Sequence, residues 1–268
     1  MYMENSVQIL GARGSVPVSG GSFYRYGGAT TCVLVKMAGQ YVILDCGTGI
    51  LKLPKQALSS PSLSLVISHA HADHIIGLAM CPYIFKSDAR LDIYGARRGE
   101  LDIKEQMERI FSPPIWPVDT DGLPASFYFH DLRESFYIDR IKVDTIEGAH
   151  PGGVSLIRLS AEGKSVVFMS DCTLNDGETA KYIEFAKNCD LLLCDGQYSD
   201  EEWEHRSTFG HSTWTAAARL GRDAGAKAVR IIHHDPGRTD ERLDKEADAL
   251  FSIHPKCSFA YEEEVILL

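Results

Sequence analysis

The stretch VISHAHADHIIGL, residues 66–78, places His69, His71, Asp73 and His74 within six positions, directly after a short apolar run. LSLVIS (63–68) reads as a buried strand and IIGLAM (75–80) as the first turns of a helix, so HAHADH is the loop at a strand's C-terminal end. Such loops commonly carry active sites in α/β folds. His69 and His71, two apart in an extended segment, point the same way, and Asp73 and His74 converge from the helix start. Neutral imidazole and carboxylate are good ligands for zinc, manganese or iron, and four of them on one rigid turn make half of a two-metal site. A lone aspartate ahead of an apolar helix would read as an N-cap. Beside three histidines, which have no structural reason to cluster, Asp73 reads as a ligand.

Working outward, similar residues recur in similar settings. His150 lies in TIEGAHPGG (145–153), just past an apolar strand, and Asp171 ends another in VVFMSDCT (166–173). VRIIHHDPG (229–237) puts His233 and His234 at the end of a third, His233 being the nearer to the strand. Metal-type residues at successive strand ends recur too often for satisfied core histidines to explain them.

The whole chain alternates strands with helices. Strand signals fall at 7–10, 31–37, 41–45, 63–68, 91–94, 141–146, 154–159, 165–170, 190–195 and 228–233, and helical ones near 97–111, 178–188, 212–224 and 240–252. Ser212 reads as an N-cap and Gly225 as a helix stop. AGQ (38–40) and AEGK (161–164) read as hairpin turns. Hairpins in each half followed by βα units predict two packed mixed sheets with helices outside, in one domain spanning 1–268. The segment from Cys81 to Leu132, rich in proline and aromatics, reads as an inserted cap.

Composition bounds the function. At 268 residues with 44% hydrophobic content the chain buries a sizeable core. No apolar run approaches the roughly 20 residues that span a bilayer, and neither a charged leader nor an h-region opens the chain, so a cytoplasmic, non-membrane protein is expected. Seven cysteines without a CxxC pair agree with that. A net charge of −10 argues against an extended nucleic-acid surface. It leaves open an anionic substrate, because bound divalent metal inverts the local sign.

The complete HxHxDH signature at His69, His71, Asp73 and His74, with the later His, Asp and His motifs in order, resembles the metallo-β-lactamase-fold hydrolases. LGARGSVP (10–17), YRYGGATTC (24–32), ILDCGTGI (43–50), FSPPIWPV (111–118), GHSTW (210–214) and HHDP (233–236) place the resemblance nearest the phosphodiesterase branch, which holds the transfer-RNA 3′ endonucleases and cyclic-phosphate phosphodiesterases. Ala29 departs from that group, which has an asparagine there, so no polar substrate contact is expected from it.

The resemblance implies a four-layer αββα fold and two divalent metal ions per chain, zinc first, with manganese or iron as alternatives. One metal would take His69, His71 and His150, the other Asp73, His74 and His233, with Asp171 bridging. Asp45 would support the site by hydrogen bonds; a polar residue opening a Gly-rich turn is its plainer reading. A metal-bridging hydroxide would attack a small phosphodiester or cyclic nucleotide, with Asp73, His211 and Asp195 as catalytic residues. A carboxylate that holds His211 as the donor tautomer makes it a general acid for the leaving alcohol. An RNA-processing nuclease and a thioester or lactam hydrolase are the alternatives; neither a long basic arm for the former nor a need for the His211 and Asp195 pair in the latter fits this chain.

Three weaker candidates concern substrate. Arg25 and Tyr26, in SGGSFYRYGG (19–28), are candidate phosphate contacts, against a plain hairpin turn. Trp116 offers a flat face for a nucleobase, against packing within the segment's own core or at a homodimer contact. Arg97 and Arg98, in ARRGELDIKEQMERI (96–110), read as part of a solvated helix face.

Overall fold

A computed structural model describes residues 4–174 and 177–268. The N-terminal sheet is built from β1 (Ser6–Gly11), β2 (Cys32–Met37), β3 (Gln40–Leu44), β4 (Ser62–Ile67), β5 (Arg90–Gly95) and β6 (Ser126–Asp131), side by side in that order. The second takes β7 (Ser135–Ile138), β8 (Ile141–Gly148), β9 (Val154–Ala161), β10 (Lys164–Met169), β11 (Leu191–Asp195), β12 (Val229–Ile232) and β13 (Cys257–Phe259). The C-terminal β14 (Val265–Leu267) returns to the first sheet, antiparallel to β1. Both sheets are mixed: β3 to β6 and β10 to β13 run parallel, and the hairpin-linked strands antiparallel.

Alternation along the strands divides the core in two directions. On β10, Val166 and Phe168 face the space between the sheets while Val167 and Met169 face the helices; on β11, Leu191 and Leu193 face inward while Leu192 and Cys194 face outward. Period-2 side chains apolar on both faces require cover on both, and the helices supply it. α1 (Lys55–Leu58), α2 (Ala72–Ile75) and α3 (Ile103–Glu108) contribute Ala57, Ile75, Ile103 and Met107 to the outer core of the first sheet. α4 (Thr179–Ala186), α6 (Trp214–Asp223) and α7 (Asp240–Ile253) contribute Tyr182, Ala217 and Leu243 to that of the second, with the short α5 (Asp200–Trp203) between α4 and α6. The expected four-layer αββα architecture is present. No helix among the described residues is long and apolar enough to cross a membrane.

Both anticipated hairpin turns form, with Ala38–Gly39 and Glu162–Gly163 at positive φ as a type I′ turn demands. Other local expectations are corrected. Thr213, rather than Ser212, caps α6 by accepting from the Ala216 N–H, while Ser212 Oγ donates to Cys172 O. Helix 97–111 shrinks to α3, which Asp102 and Glu105 open as a reciprocal capping box.

The reading of 81–132 as an inserted cap is corrected: the segment contains β5 and β6, parallel neighbours in the first sheet, and 96–125 is the crossover that joins them. Phe127 and Phe129 alternate onto the outer core while Tyr128 stands exposed under the Arg90 guanidinium. An aromatic run that looks like a binding surface is thus the helix-side face of an edge strand.

Candidate metal centre and active site

The site lies where several strands end. His69 follows β4, His150 follows β8, Asp171 follows β10, Asp195 is the last residue of β11, and His233 follows β12. Asp45, Asp171 and His233 have φ of 57°, 51° and 62°. Non-glycine residues rarely adopt that region, and here it swings each side chain out of its strand's line into the site.

Seven expected ligands come together in two groups, His69, His71, His150 and Asp171 on one side and Asp73, His74, Asp171 and His233 on the other, with donor atoms in each group within 4.8 Å of one another. Asp171 belongs to both. Its Oδ1 lies 3.2 Å from His74 Nε2 and 3.1 Å from His233 Nε2, and its Oδ2 lies 3.6 Å from His69 Nε2 and 3.8 Å from His150 Nε2. Asp73 Oδ2 is 3.1 Å from His233 Nε2 and accepts the Ser15 N–H at 2.7 Å.

Four of the five histidines have their far nitrogen held, whereas His71 Nδ1 lies 3.2 Å from His150 Nε2. His74 Nδ1 donates to Asp45 Oδ2 at 2.7 Å, and Ser68 Oγ, which also donates to Asp45, stands 3.1 Å from His69 Nδ1. Gly210 O accepts from His150 Nδ1 at 2.9 Å, and Gln197 Oε1 from His233 Nδ1 at 3.2 Å. These bonds place the Nδ1 side of each ring and direct Nε2 inward on His69, His74, His150 and His233, the atom a metal would take in place of any proton there. His69 Nε2 and His74 Nε2 are indeed buried without a hydrogen-bond partner. Orphaned buried nitrogens are costly in a fold that satisfies its polar groups, and facing carboxylates they fit divalent cations. Asp45 accepts from Ser68 and from His74 Nδ1 and so fixes the orientation of that ring. Gly210 is required because, at φ 86°, a Cβ there would collide with His150.

Electrostatics follow the same division. Burial pushes the His69, His71 and His150 pKa values down, keeping these rings neutral. Burial also opposes protonation of His74 and His233, but carboxylates prevail: Asp171, Asp73 and Asp45 lift His74 well above its ordinary value, and Asp171 and Asp73 lift His233 to about 9. Asp73 and Asp171 are correspondingly held well below the usual carboxylate range, the surrounding imidazoles overcoming the burial of each.

Next to the shared Asp171 stands a further pair. His211 Nδ1 donates to Asp195 Oδ2 at 2.8 Å, and Asp195 Oδ1 accepts the Gln197 N–H at 3.0 Å and the Ser212 N–H at 3.3 Å. The His211 ring stacks on His233 with centroids 4.8 Å apart.

Not every expected residue arrives. His234 points away, Nε2 donating to Ala260 O, and burial lowers its pKa to about 3; His233 is the residue in the cluster. Arg25 and Tyr26 face α7, Arg25 in an ion pair with Asp244 and Tyr26 Oη donating to Asp244 at 3.0 Å, because the acidic start of that helix captures the loop. Trp116 lines a small apolar pocket with Phe111, Leu123 and Phe127, and the metal-type residues take no part in it. Conversely, Ser15, Ser68, Gln197 and Gly210 were missed. Their types are common, and only proximity across the fold gives them work.

Comparison with known proteins agrees with this geometry. Residues 40–234, which include every candidate ligand, match the model of the beta-lactamase superfamily domain. The chain is 24% identical over 259 residues to the probable metallo-hydrolase YhfI of Bacillus subtilis, covering 92% of this chain and 93% of that one. It is 27% identical over 275 residues to ribonuclease Z of Sulfolobus acidocaldarius, covering 87% and 93%. Among solved structures, YhfI superimposes with a TM-score of 0.73 at 20% identity over 98% and 99% of the two chains. A diphosphatase of the PhnP family superimposes with a TM-score of 0.71 at 18% identity over 98% of each. With its paired His/Asp clusters at the strand ends, the chain belongs to the beta-lactamase superfamily domain family and is a metal-dependent hydrolase of the metallo-β-lactamase fold.

Proposed function

We propose that this hydrolase cleaves phosphodiesters, on a small substrate such as a cyclic nucleotide, with His211 as general acid. The observation that carries the reading is the buried 2.8 Å contact between His211 and Asp195 beside Asp171. An alcohol leaving phosphorus needs a proton, whereas a thiolate leaves without one, so a dedicated donor favours phosphodiester over thioester.

His69, His71 and His150 would hold one divalent cation and Asp73, His74 and His233 another, with Asp171 between them. Bound there, the cations would supply Lewis acidity and lower the pKa of water. Zinc suits the nitrogen-rich donor set, with manganese or iron as alternatives. The chain's own residues do the rest. Asp45, Ser68, Gln197 and Gly210 O hold the imidazoles in one tautomer. Asp195 holds the proton of His211 Nδ1, so the ring acts as the acid when it carries a second proton on Nε2, which passes to the leaving oxygen as its bond to phosphorus breaks and leaves the neutral Nδ1–H imidazole. The backbone N–H of Ser15 steadies Asp73.

The ribonuclease Z relatives support a second reading, RNA processing, by the same chemistry on a larger substrate. A panel of phosphodiester, phosphomonoester, thioester and β-lactam substrates, run with zinc or manganese beside a transfer-RNA precursor, tests both. Turnover of bis(p-nitrophenyl) phosphate and cyclic nucleotides with an intact precursor is expected. Precise cleavage of the precursor favours the second reading, and thioester or lactam turnover alone overturns the proposal.

A further inference from the structure

On the His69 and His71 side of the metal-type cluster opens a cleft of about 470 Å³ whose walls include Arg98, Gln106, Arg109, Gly152 and Gly153. The turn after β5 that carries Arg98 is fixed by Gln106 Nε2, which donates to Ala96 O and Leu101 O. Arg98 itself is clamped: Nη1 donates to Glu147 at 2.6 Å and Nη2 to Ser155 Oγ at 3.1 Å, and its side chain is only 20% exposed. Gly153, at φ 85°, permits that clamp, since a Cβ there would stand 2.6 Å from Arg98 Nη1. The sequence-based assignment of Arg98 to a solvated helix face is thus corrected.

Arg109 differs. It follows the last residue of α3, is exposed, and has neither an ion pair nor a hydrogen bond through its side chain among the described residues. In a chain of net charge −10 most arginines meet carboxylates or backbone carbonyls; among the described residues Arg109 shares its lack of a side-chain partner with Arg133 and Arg219, but of the three it is the one in the wall of this cleft. A guanidinium binds phosphate through paired N–H donors. Both arginines line the cleft that opens beside His69 and His71.

We propose that Arg109, flanked by the clamped Arg98, binds a second phosphoryl group on the substrate, so that the enzyme selects phosphodiesters carrying an additional phosphate over those carrying none. This rests on the phosphodiester reading above and names a specificity-determining residue for it. Arg109 touches the bound substrate without entering the bond-breaking step, so its removal acts on KM rather than kcat.

The test compares thymidine 5′-(4-nitrophenyl phosphate) with its 3′-phosphorylated counterpart. In the wild-type enzyme the 3′-phosphorylated ester is expected to have the lower KM. Arg109→Ala should raise that KM about tenfold with kcat retained, as expected for one lost charge-assisted contact, and Arg109→Lys should restore part of it. A thymidine dinucleotide ester, whose second phosphate is an internal diester, distinguishes a strand's next phosphate from a terminal one. Independently of turnover, calorimetric binding of thymidine 3′,5′-bisphosphate to the metal-free protein should weaken in Arg109→Ala and with added salt. The same substrate ratio and the same bisphosphate affinity in Arg109→Ala, with a lowered Tm, would show that Arg109 only stabilises the end of α3, and would overturn the proposal. Failure of both esters to turn over would defeat the phosphodiester reading, and the metal-free binding measurement would still decide the arginine's role.

Discussion

Asp45 and His74, 29 residues apart and both wholly buried, share a 2.7 Å hydrogen bond that holds the imidazole with Nε2 turned toward Asp73 and Asp171. Because Ser68 also donates to Asp45 and stands beside His69 Nδ1, one carboxylate orients a ligand in each group. Asp45→Ala should weaken metal binding about 10–100-fold, as loss of such supporting partners commonly does. Competition with a chelator measures it; unchanged affinity in a folded variant would remove Asp45 from the site.

Asp171 sits between the two groups, so its loss should affect both. Metal-replete protein should hold two divalent ions per chain by elemental analysis, and Asp171→Ala or His69→Ala should lower that number together with activity. One ion per chain, with Asp171→Ala harmless, would refute a dinuclear centre.

His211→Ala should keep both ions yet lose about 10²–10⁴ in turnover on an alkyl phosphodiester. The loss should shrink on a nitrophenyl ester, whose leaving group departs without a proton. Equal losses on the two substrates would count against His211 as the acid.

Stability of the metal-free protein should depend on pH in the alkaline direction. His233 is raised from its ordinary 6.5 to about 9, the carboxylates of Asp171 and Asp73 overcoming burial. Its protonated form therefore stabilises the fold fully below 6.5, and that contribution disappears as pH rises through about 9. Metal competes with the same proton and binds more tightly as pH rises. In chelator the Tm should fall between pH 6.5 and 9, and with zinc the fall should vanish; parallel curves would exclude His233 as a ligand.

Trp116 packs beside Phe111, Leu123 and Phe127 against the outer core of the first sheet. Trp116→Ala should destabilise by about 3 kcal/mol, the low end for such truncations because the ring is half-buried. Denaturant melts should show the loss while relative KM values across phosphodiesters stay the same; a shift in preference without a loss of stability would return Trp116 to the substrate.

The sheets' central strands and most of the clustered His and Asp residues are legible in the sequence. HAHADH is local, so the convergence of His69, His71, Asp73 and His74 is fixed by one strand, one turn and one helix start. The later ligands were legible because each follows a continuous apolar run, and a buried strand's end is readable from the run. β6, β7, β13 and β14 were not read, since the first two are half-exposed edge strands and the last two span three residues each.

Whatever depends on contacts between distant strands came instead from how the two sheets pack. His233 and His234 are adjacent and chemically identical; a φ of 62° at His233 turns one into the site and leaves the other donating to Ala260 O. The same holds for Gln197 on His233, Gly210 O on His150 and Arg98 on Glu147, which pair across 36, 60 and 49 residues. Arg25, Tyr26 and Trp116 looked like substrate contacts by residue type, yet an acidic helix start and an apolar core claimed them. Residue type and spacing set which chemistry is available, whereas the packing of two sheets selects the partner each side chain meets.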